Sequence, residues 1–312
     1  MSPWPWTEPL PHAAALALAL AWDRWLGEPP ARLHPVVWMG AAIGWWRRRA
    51  PDGRIAALGS GAAMVGVVVG LSGAAGLVSV LPWVGLPIAT WLLTSSMALR
   101  GLATAGGDVA QALESGDLAA ARAGLSSLCS RDPSVLTAEQ VAAAATESVA
   151  ENTSDSVVAP LFWYAVGGIP AVLAYRCANT LDAMVGYHGR LEWFGKPAAR
   201  LDDLLNLVPA RLTALLLLAC AGRDRRRGAT VMWRDRGRTE SPNAGWPMAA
   251  VAGILGVRLE KPGHYLLGDG LPACSARDLR RGIEVCSRAM LLAAALLVGA
   301  LVGVGVWRLW WT

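Results

Sequence analysis

The run Thr146-Glu147-Ser148-Val149-Ala150-Glu151-Asn152-Thr153-Ser154-Asp155 is the densest collection of hard oxygen donors in the chain. On a helix, Glu147, Glu151 and Asp155 share one face. Three like charges in line destabilise a helix unless a cation or a basic group sits among them. The spacing therefore points to metal or phosphate chemistry. The alternative at this stage is a solvated face, with Ser154 or Asp155 capping the next helix. A second cluster is Asn179-Thr180-Leu181-Asp182, followed by Met184-Val185-Gly186-Tyr187-His188. A third is Arg200-Leu201-Asp202-Asp203-Leu204-Leu205-Asn206, with Arg211 further along. Carboxylates in apolar, membrane-like surroundings cost about 2.5–3.5 kcal/mol each on insertion scales, and by default mark function. Such ligands suit Mg²⁺ bound together with phosphate.

Other stretches carry weaker signals. Glu240-Ser241-Pro242-Asn243-Ala244-Gly245-Trp246-Pro247 should form an ordered turn before a short apolar helix from Met248 to Val257. Lys261-Pro262-Gly263-His264-Tyr265 and Gly268-Asp269-Gly270 read as loops that reverse the chain. His34, beside Pro35, suits a structural role or proton transfer.

The elements that must position these residues are mostly membrane helices. Only 16% of the 312 residues are charged, against about a quarter in soluble domains. Sixteen Trp accompany two Phe and four Tyr, and many of the Trp lie at the ends of apolar runs, where an indole is apolar in body and wet at its N–H. A span needs about 20 apolar residues. Ile55–Leu81 and Ala289–Trp307 qualify, Pro82–Leu99 is a third candidate, and Pro11–Leu26 is a shorter one. Val157–Ala174 contains Pro160, Gly167, Gly168 and Pro170, and Leu204–Gly222 is preceded directly by Asp202 and Asp203. Residues 101–156 read as short soluble-type helices split near Gly116 and Pro133. Residues 223–288 are Arg-rich, and no strand pattern stands out.

Lys and Arg placement puts the Gly27–Arg54 loop, 101–156 and 223–288 in the cytoplasm. Full crossing by both 157–174 and 204–222 would put Arg176, Arg190, Lys196 and Arg200 outside. Broken or re-entrant segments lining a protein cavity fit better. The expected fold is all-α: a polytopic integral membrane protein with about 4–6 membrane helices, as a single domain over 1–312. Cys129, Cys177, Cys220, Cys274 and Cys286 show no disulfide or zinc spacing. No secretory signal is expected, since no Lys or Arg precedes the first apolar run. The net charge of +5 suits an anionic leaflet and anionic substrates; no nucleic-acid partner is expected.

Five segments together resemble one family. ESVAENTSDSVVAPLFW, YRCANTLDAMVGY, FGKPAARLDDLLNLVPARLTA, SPNAGWPMAAVAGILGVRLEKPGHYLLG and the N-terminal DRWLGEPPARLHPVVWMG resemble the CobD/CbiB family of cobalamin biosynthesis proteins. One departure is Ser156, where the family usually has Gly. Ser enters φ > 0 less cheaply than Gly, but no polar group is lost. The resemblance implies a membrane-bound adenosylcobinamide-phosphate synthase. Such a protein condenses adenosylcobyric acid with (R)-1-aminopropan-2-ol or its O-phosphate, in an ATP-dependent ligation. It would sit in the cell inner membrane with its site facing the cytoplasm, and could meet other cobalamin-assembly proteins.

For that chemistry, Glu147, Glu151, Asp155, Asp182 and His188 are the catalytic candidates, with Asp182 or His188 accepting the ammonium proton. Glu151, Asp155, Asp202 and Asp203 are the candidate ligands of Mg²⁺ brought with ATP. Asn152, Asn179 and Asn243 would orient phosphate or amide groups. Lys196, Arg200 and Arg211 would hold phosphate or the corrin carboxylate. Rival readings are an intramembrane prenyltransferase, suggested by Asp202-Asp203-x-x-Asn206, and a transporter or AmpE-like signalling protein. A transporter should show repeated spans, and none is visible.

Overall fold

The computed structural model describes residues 7–81, 84–129, 132–186 and 189–311. In chain order the elements are α1 (Pro9–Trp25), α2 (Pro35–Arg47), α3 (Arg54–Ala75), α4 (Gly85–Ser96), α5 (Leu99–Glu114), α6 (Leu118–Leu125), α7 (Ala138–Thr153), α8 (Ala159–Val185), α9 (Glu192–Leu205), α10 (Leu207–Cys220), α11 (Arg225–Asp235), α12 (Gly245–Leu255), β1 (Leu259–Lys261), β2 (Tyr265–Leu267) and α13 (Ala276–Trp311). The chain is an all-α polytopic membrane protein. Among the described residues, three helical stretches are long and apolar enough to cross a bilayer: Arg54–Val80, Ala138–Val185 and Ala276–Trp311. A fourth exists if the broken pair Glu192–Leu205 and Leu207–Cys220 counts as one.

Several expectations change. The Pro82–Leu99 candidate is a helix of only 12 residues, and α1 has 17. Both fall short of the roughly 20 residues a straight crossing needs. Ser154 and Asp155 do not cap a new helix. Residues 154–158 form a π-helical segment that carries α7 straight into α8. The expected break in 157–174 falls at Gly167 and Gly168, whose backbone leaves helical geometry, Gly168 with φ +63°. Two short antiparallel strands, not foreseen, pair Leu259 with Leu267 and Lys261 with Tyr265.

The helices begin and end where local chemistry dictates. Gly116, at φ +79°, turns the chain after α5, and the Asp117 carboxylate accepts from the Ala120 N–H at 2.8 Å to start α6. At α7, the Thr137 hydroxyl accepts from the Gln140 N–H, and the Gln140 side chain accepts from the Thr137 N–H at 2.9 Å. This reciprocal cap satisfies two N–H groups that the helix cannot pair internally.

The chain divides into two compact units. The first holds residues 1–98, 159–206 and 294–312. Its helices cross closely through small residues. Gly61 of α3 lies against the backbone of Phe194, so a Cβ there would overlap the Phe194 carbonyl. Indole N–H groups find fixed acceptors: Trp38 donates to the Arg32 carbonyl, Trp91 to the Leu33 carbonyl and Trp46 to the Ser60 hydroxyl, each at 3.2 Å. Buried Tyr164 donates its hydroxyl to the His12 carbonyl at 3.0 Å.

The second unit holds residues 99–158 and 207–293. Val109, Ala110, Leu125, Val141, Ala145 and Leu279 form one buried apolar cluster there. Helices α11 and α12 pack through Gly228 and Gly253. Arg227 then donates to the Gly253 and Ile254 carbonyls at 2.7 and 2.8 Å, closing the open end of α12. A cation at a helix C-terminus is favourable electrostatically as well as by hydrogen bonding. Asp235 is fully buried. It accepts from Arg234 Nε and Nη2, at 2.8 and 2.7 Å, and from the Gly268 N–H at 2.8 Å. Burial works against its charge, but these donors hold the carboxyl below the usual range.

Gly61→Ala should destabilise the protein by about 1–3 kcal/mol, the usual range for overpacking. Gly59→Ala, on the same helix with nothing near its added methyl, should be neutral or stabilising. Thermal unfolding in detergent, followed by size-exclusion elution, checks the pair. Equal melting of the two variants would contradict this account of the crossing.

Candidate functional site

In the second unit, a pocket of about 270 Å³ is lined by Cys129, Ala144, Glu147, Ser148, Glu151, Lys261 and Tyr265. Helical periodicity explains one wall. Ala144, Glu147, Ser148 and Glu151 are spaced three and four apart on α7, and so share a face. The β-hairpin explains the other. Lys261 and Tyr265 are directly opposite partners, and such pairs project to one side of the ladder. The turn between them needs Gly263, at φ +77°.

Glu147 is only 2% exposed, so its carboxylate is held in a largely dry setting where charge interactions are strengthened. Ser148 donates its hydroxyl to the Leu128 carbonyl at 2.5 Å. Asn152 donates to the Ser148 carbonyl at 2.9 Å and accepts from the Ser156 hydroxyl at 3.2 Å. Asn152 is thus committed to bracing α7 and the π segment. Asp155 lies within the π segment, half-buried, and is not among the pocket-lining residues. Next to Glu147, the Thr146 hydroxyl and the Cys274 sulfur lie 3.5 Å apart. Burial pushes the Cys274 thiol up to about 12, so this sulfur is no nucleophile at neutral pH.

Also in this unit, Arg211 donates to Asn243 Oδ1 at 3.1 Å and lies 4.7 Å from the centroid of the Trp246 ring. The expected turn at 240–247 is ordered: the Ser241 hydroxyl accepts from the Asn243 N–H at 3.2 Å. Arg211 and Asn243, both expected at phosphate, are therefore joined to each other.

The first unit carries a separate polar network. Arg176 donates to Asn179 Oδ1 at 3.1 Å, and Asn179 donates to Asp202 Oδ1 at 3.3 Å. Asn206 donates to Asp202 Oδ2 at 3.0 Å and accepts from the Tyr175 hydroxyl at 2.9 Å. Asp202 thus binds α9 to α8 directly through Oδ1 and, through Oδ2 and Asn206, to Tyr175. Asp182 and Asp203 lie close enough to feel each other's charge, and Asp202 feels both. Arg200 approaches Asp203 at 3.6 Å, and Lys196 stacks 4.3 Å from the Trp193 centroid. Glu28 joins the network through the charge of Arg176, and His34, 3.6 Å away, helps hold its carboxyl below the usual range. His188 lies outside the described residues.

The structure therefore brings Glu147 with Glu151, and Asn179 and Asp182 with Asp202 and Asp203. The four expected metal ligands fall in different units: Glu151 and Asp155 in one, Asp202 and Asp203 in the other. Among the described residues, no three His, Cys, Asp or Glu side chains are grouped to hold a metal ion. Lys261, Tyr265, Ser148 and Arg176 were not assigned from the sequence. The signal for the first two was present, since Pro262-Gly263 between Leu259-Glu260-Lys261 and Tyr265-Leu266-Leu267 is a turn between two strand-like triplets.

The profile of the CobD/Cbib protein family matches residues 16–297. The chain is 44% identical to the cobalamin biosynthesis protein CobD of Dehalococcoides mccartyi over 269 residues, covering 81% of this chain and 86% of the relative. It is 39% identical to the cobalamin biosynthesis protein CbiB of Salmonella typhimurium over 311 residues, covering 92% and 98%. It is 40% identical to CobD of Klebsiella pneumoniae over 308 residues, covering 91% and 96%. No solved structure matches the chain. The match runs through the α7 face, the α8–α9 network and the hairpin alike, and the chain belongs to the CobD/CbiB family.

Proposed function

We propose that this protein acts in cobalamin biosynthesis as an ATP-dependent amide ligase. It would join (R)-1-aminopropan-2-ol, or its O-phosphate, to a propionate of adenosylcobyric acid at a membrane surface. The observation that carries the reading is the small pocket holding Glu147 and Glu151 opposite Lys261. Its volume of about 270 Å³ corresponds to roughly nine waters at about 30 Å³ each. That suits a short amino alcohol or its phosphate, and is too small for a nucleotide or a corrin ring.

The charges suit the same ligand. Two carboxylates attract an ammonium group, and one of them can take its proton so that neutral nitrogen attacks. Lys261 is placed for the phosphate of the O-phosphate form or for the corrin carboxylate. Tyr265 offers a hydroxyl to the substrate alcohol.

A free carboxylate is a poor electrophile. In the proposed reaction its oxygen attacks the γ-phosphorus of ATP, ADP leaves, and an acyl phosphate forms. The amine nitrogen then attacks the acyl carbon, phosphate leaves, and the proton from nitrogen passes to Glu147 or Glu151. Magnesium ion, when bound with ATP, would neutralise phosphate charge. Among the described residues there is no all-protein cage for it, but an ion that arrives with phosphate oxygens needs only one or two carboxylates. Glu151, in the pocket itself, would supply one such carboxylate. The engagement of both Asp202 oxygens by amide donors weighs against an aspartate-rich prenyltransferase motif, and the family match over residues 16–297 favours the ligase over a transporter or signalling role. The Arg-rich loops support a site facing the cytoplasm, and an inner-membrane location is part of the same proposal.

Glu147→Gln should lower kcat about a hundredfold or more, the scale of a lost general base. Lys261→Met should mainly raise KM for the phosphorylated amine, with less effect on the free amino alcohol. Steady-state kinetics in detergent checks both, and wild-type rates in both would remove the pocket from the mechanism.

Cys129 gives an independent check because it lines the pocket and is half-buried. In a Cys220→Ser background, aminopropanol phosphate should slow maleimide labelling of Cys129, while ATP alone should not. Protection by ATP and none by the amine would reverse the assignment.

A further inference from the structure

A second cavity, in the first unit, is unlike the proposed amine pocket. It is an apolar groove of about 770 Å³ between α2, α3 and α4, walled by Trp38, Trp45, Trp46 and Trp91 with Val67 and Leu71. Its size is that of a ligand site rather than a packing defect. Among the described residues, Ser72 is its one hydroxyl-bearing wall residue. Three of the four indole N–H groups are already donated, to the Arg32 carbonyl, the Ser60 hydroxyl and the Leu33 carbonyl. The groove therefore offers almost nothing to a polar occupant. A corrin ring, whose rim is set with amides and carboxylates, would leave those groups unpaired there, which disfavours it.

The Trp45 wall carries charge. Trp45 and Trp46 are followed at once by Arg47, Arg48 and Arg49, all exposed. The Arg49 guanidinium lies over the Trp45 ring, 4.0 Å from its centroid, and donates to the Trp45 carbonyl at 2.9 Å. A hydrocarbon slot with one guanidinium stacked on its wall, and two more beside it in sequence, is complementary to one class of molecule.

We infer that this groove binds an anionic phospholipid, with an acyl chain between the four Trp rings and the phosphate on Arg48 and Arg49. Apolar surface drives the chain in, and the guanidinium groups select the headgroup. The site does not depend on the ligase reading, since none of its residues belongs to the amine pocket.

The test uses the purified full chain in detergent. Trp emission is followed while phosphatidylglycerol or phosphatidylcholine with brominated acyl chains is added. The expected result is saturable quenching by both, with half-saturation roughly fivefold lower for phosphatidylglycerol per guanidinium engaged. In the Arg48→Gln/Arg49→Gln variant, phosphatidylglycerol should fall to the phosphatidylcholine level. Ala42→Phe, which fills the groove from an exposed wall position, should remove the saturable component. The arginine variant changes only exposed side chains, so it keeps the test valid if Ala42→Phe fails to fold. Quenching that never saturates and is equal for the two lipids would overturn the proposal. So would native mass spectra showing a second copy of the chain in place of retained lipid.

Discussion

Charge inside an apolar helical chain has to be paired, and this constraint shapes both units. Taking an ion out of water costs several kcal/mol, and only close, well-aligned donors offset it. Asp202 meets the demand with two amide donors, and in doing so fastens α8 to α9. Asp235 meets it with a bidentate guanidinium and a backbone N–H, and so fastens α11 to the start of the 268–270 turn. These carboxylates are structural because their oxygens are spent. Glu147 and Glu151 line a pocket together with Lys261. In the proposed reading they are the acids that do chemistry.

The same logic explains why small residues recur at the crossings. Gly61 brings α3 against the Phe194 backbone, and Gly253 brings α12 against Gly228. Close approach replaces the hydrophobic driving force that lipid-facing helices lack. It also sets the positions of side chains one turn away. Cation–π pairs add to this: Arg54 lies 3.8 Å from the Trp193 centroid and links α3 to the start of α9.

Much of this was legible in the sequence. The Ile55–Leu81 and Ala289–Trp307 runs read as spans because length and apolarity are summed properties, insensitive to detail. The breaks near Gly116 and at Gly167-Gly168 were visible because glycine reaches backbone angles that other residues avoid. The α7 acid face was legible from spacing alone. What the sequence hid were contacts made at long range. Asn179 reads as a phosphate ligand until Asp202 is seen beside it, and Arg211 reads as an anion site until it is found on Asn243. The hairpin was missed because two triplets are too short to show strand periodicity. Asp155, expected on the same face, lies in the π segment 154–158 and is not among the residues that line the pocket.

The central claim is that the chain forms an amide between a small amino alcohol and a corrin carboxylate at the expense of ATP. Its most direct test is mass spectrometry of the corrin after incubating protein-containing membranes with adenosylcobyric acid, ATP, Mg²⁺ and either aminopropanol or its phosphate. The account predicts a mass gain of one amide-linked unit, absent without ATP and absent without the protein. An unchanged corrin with both amines, from membranes that hold folded protein, would contradict it.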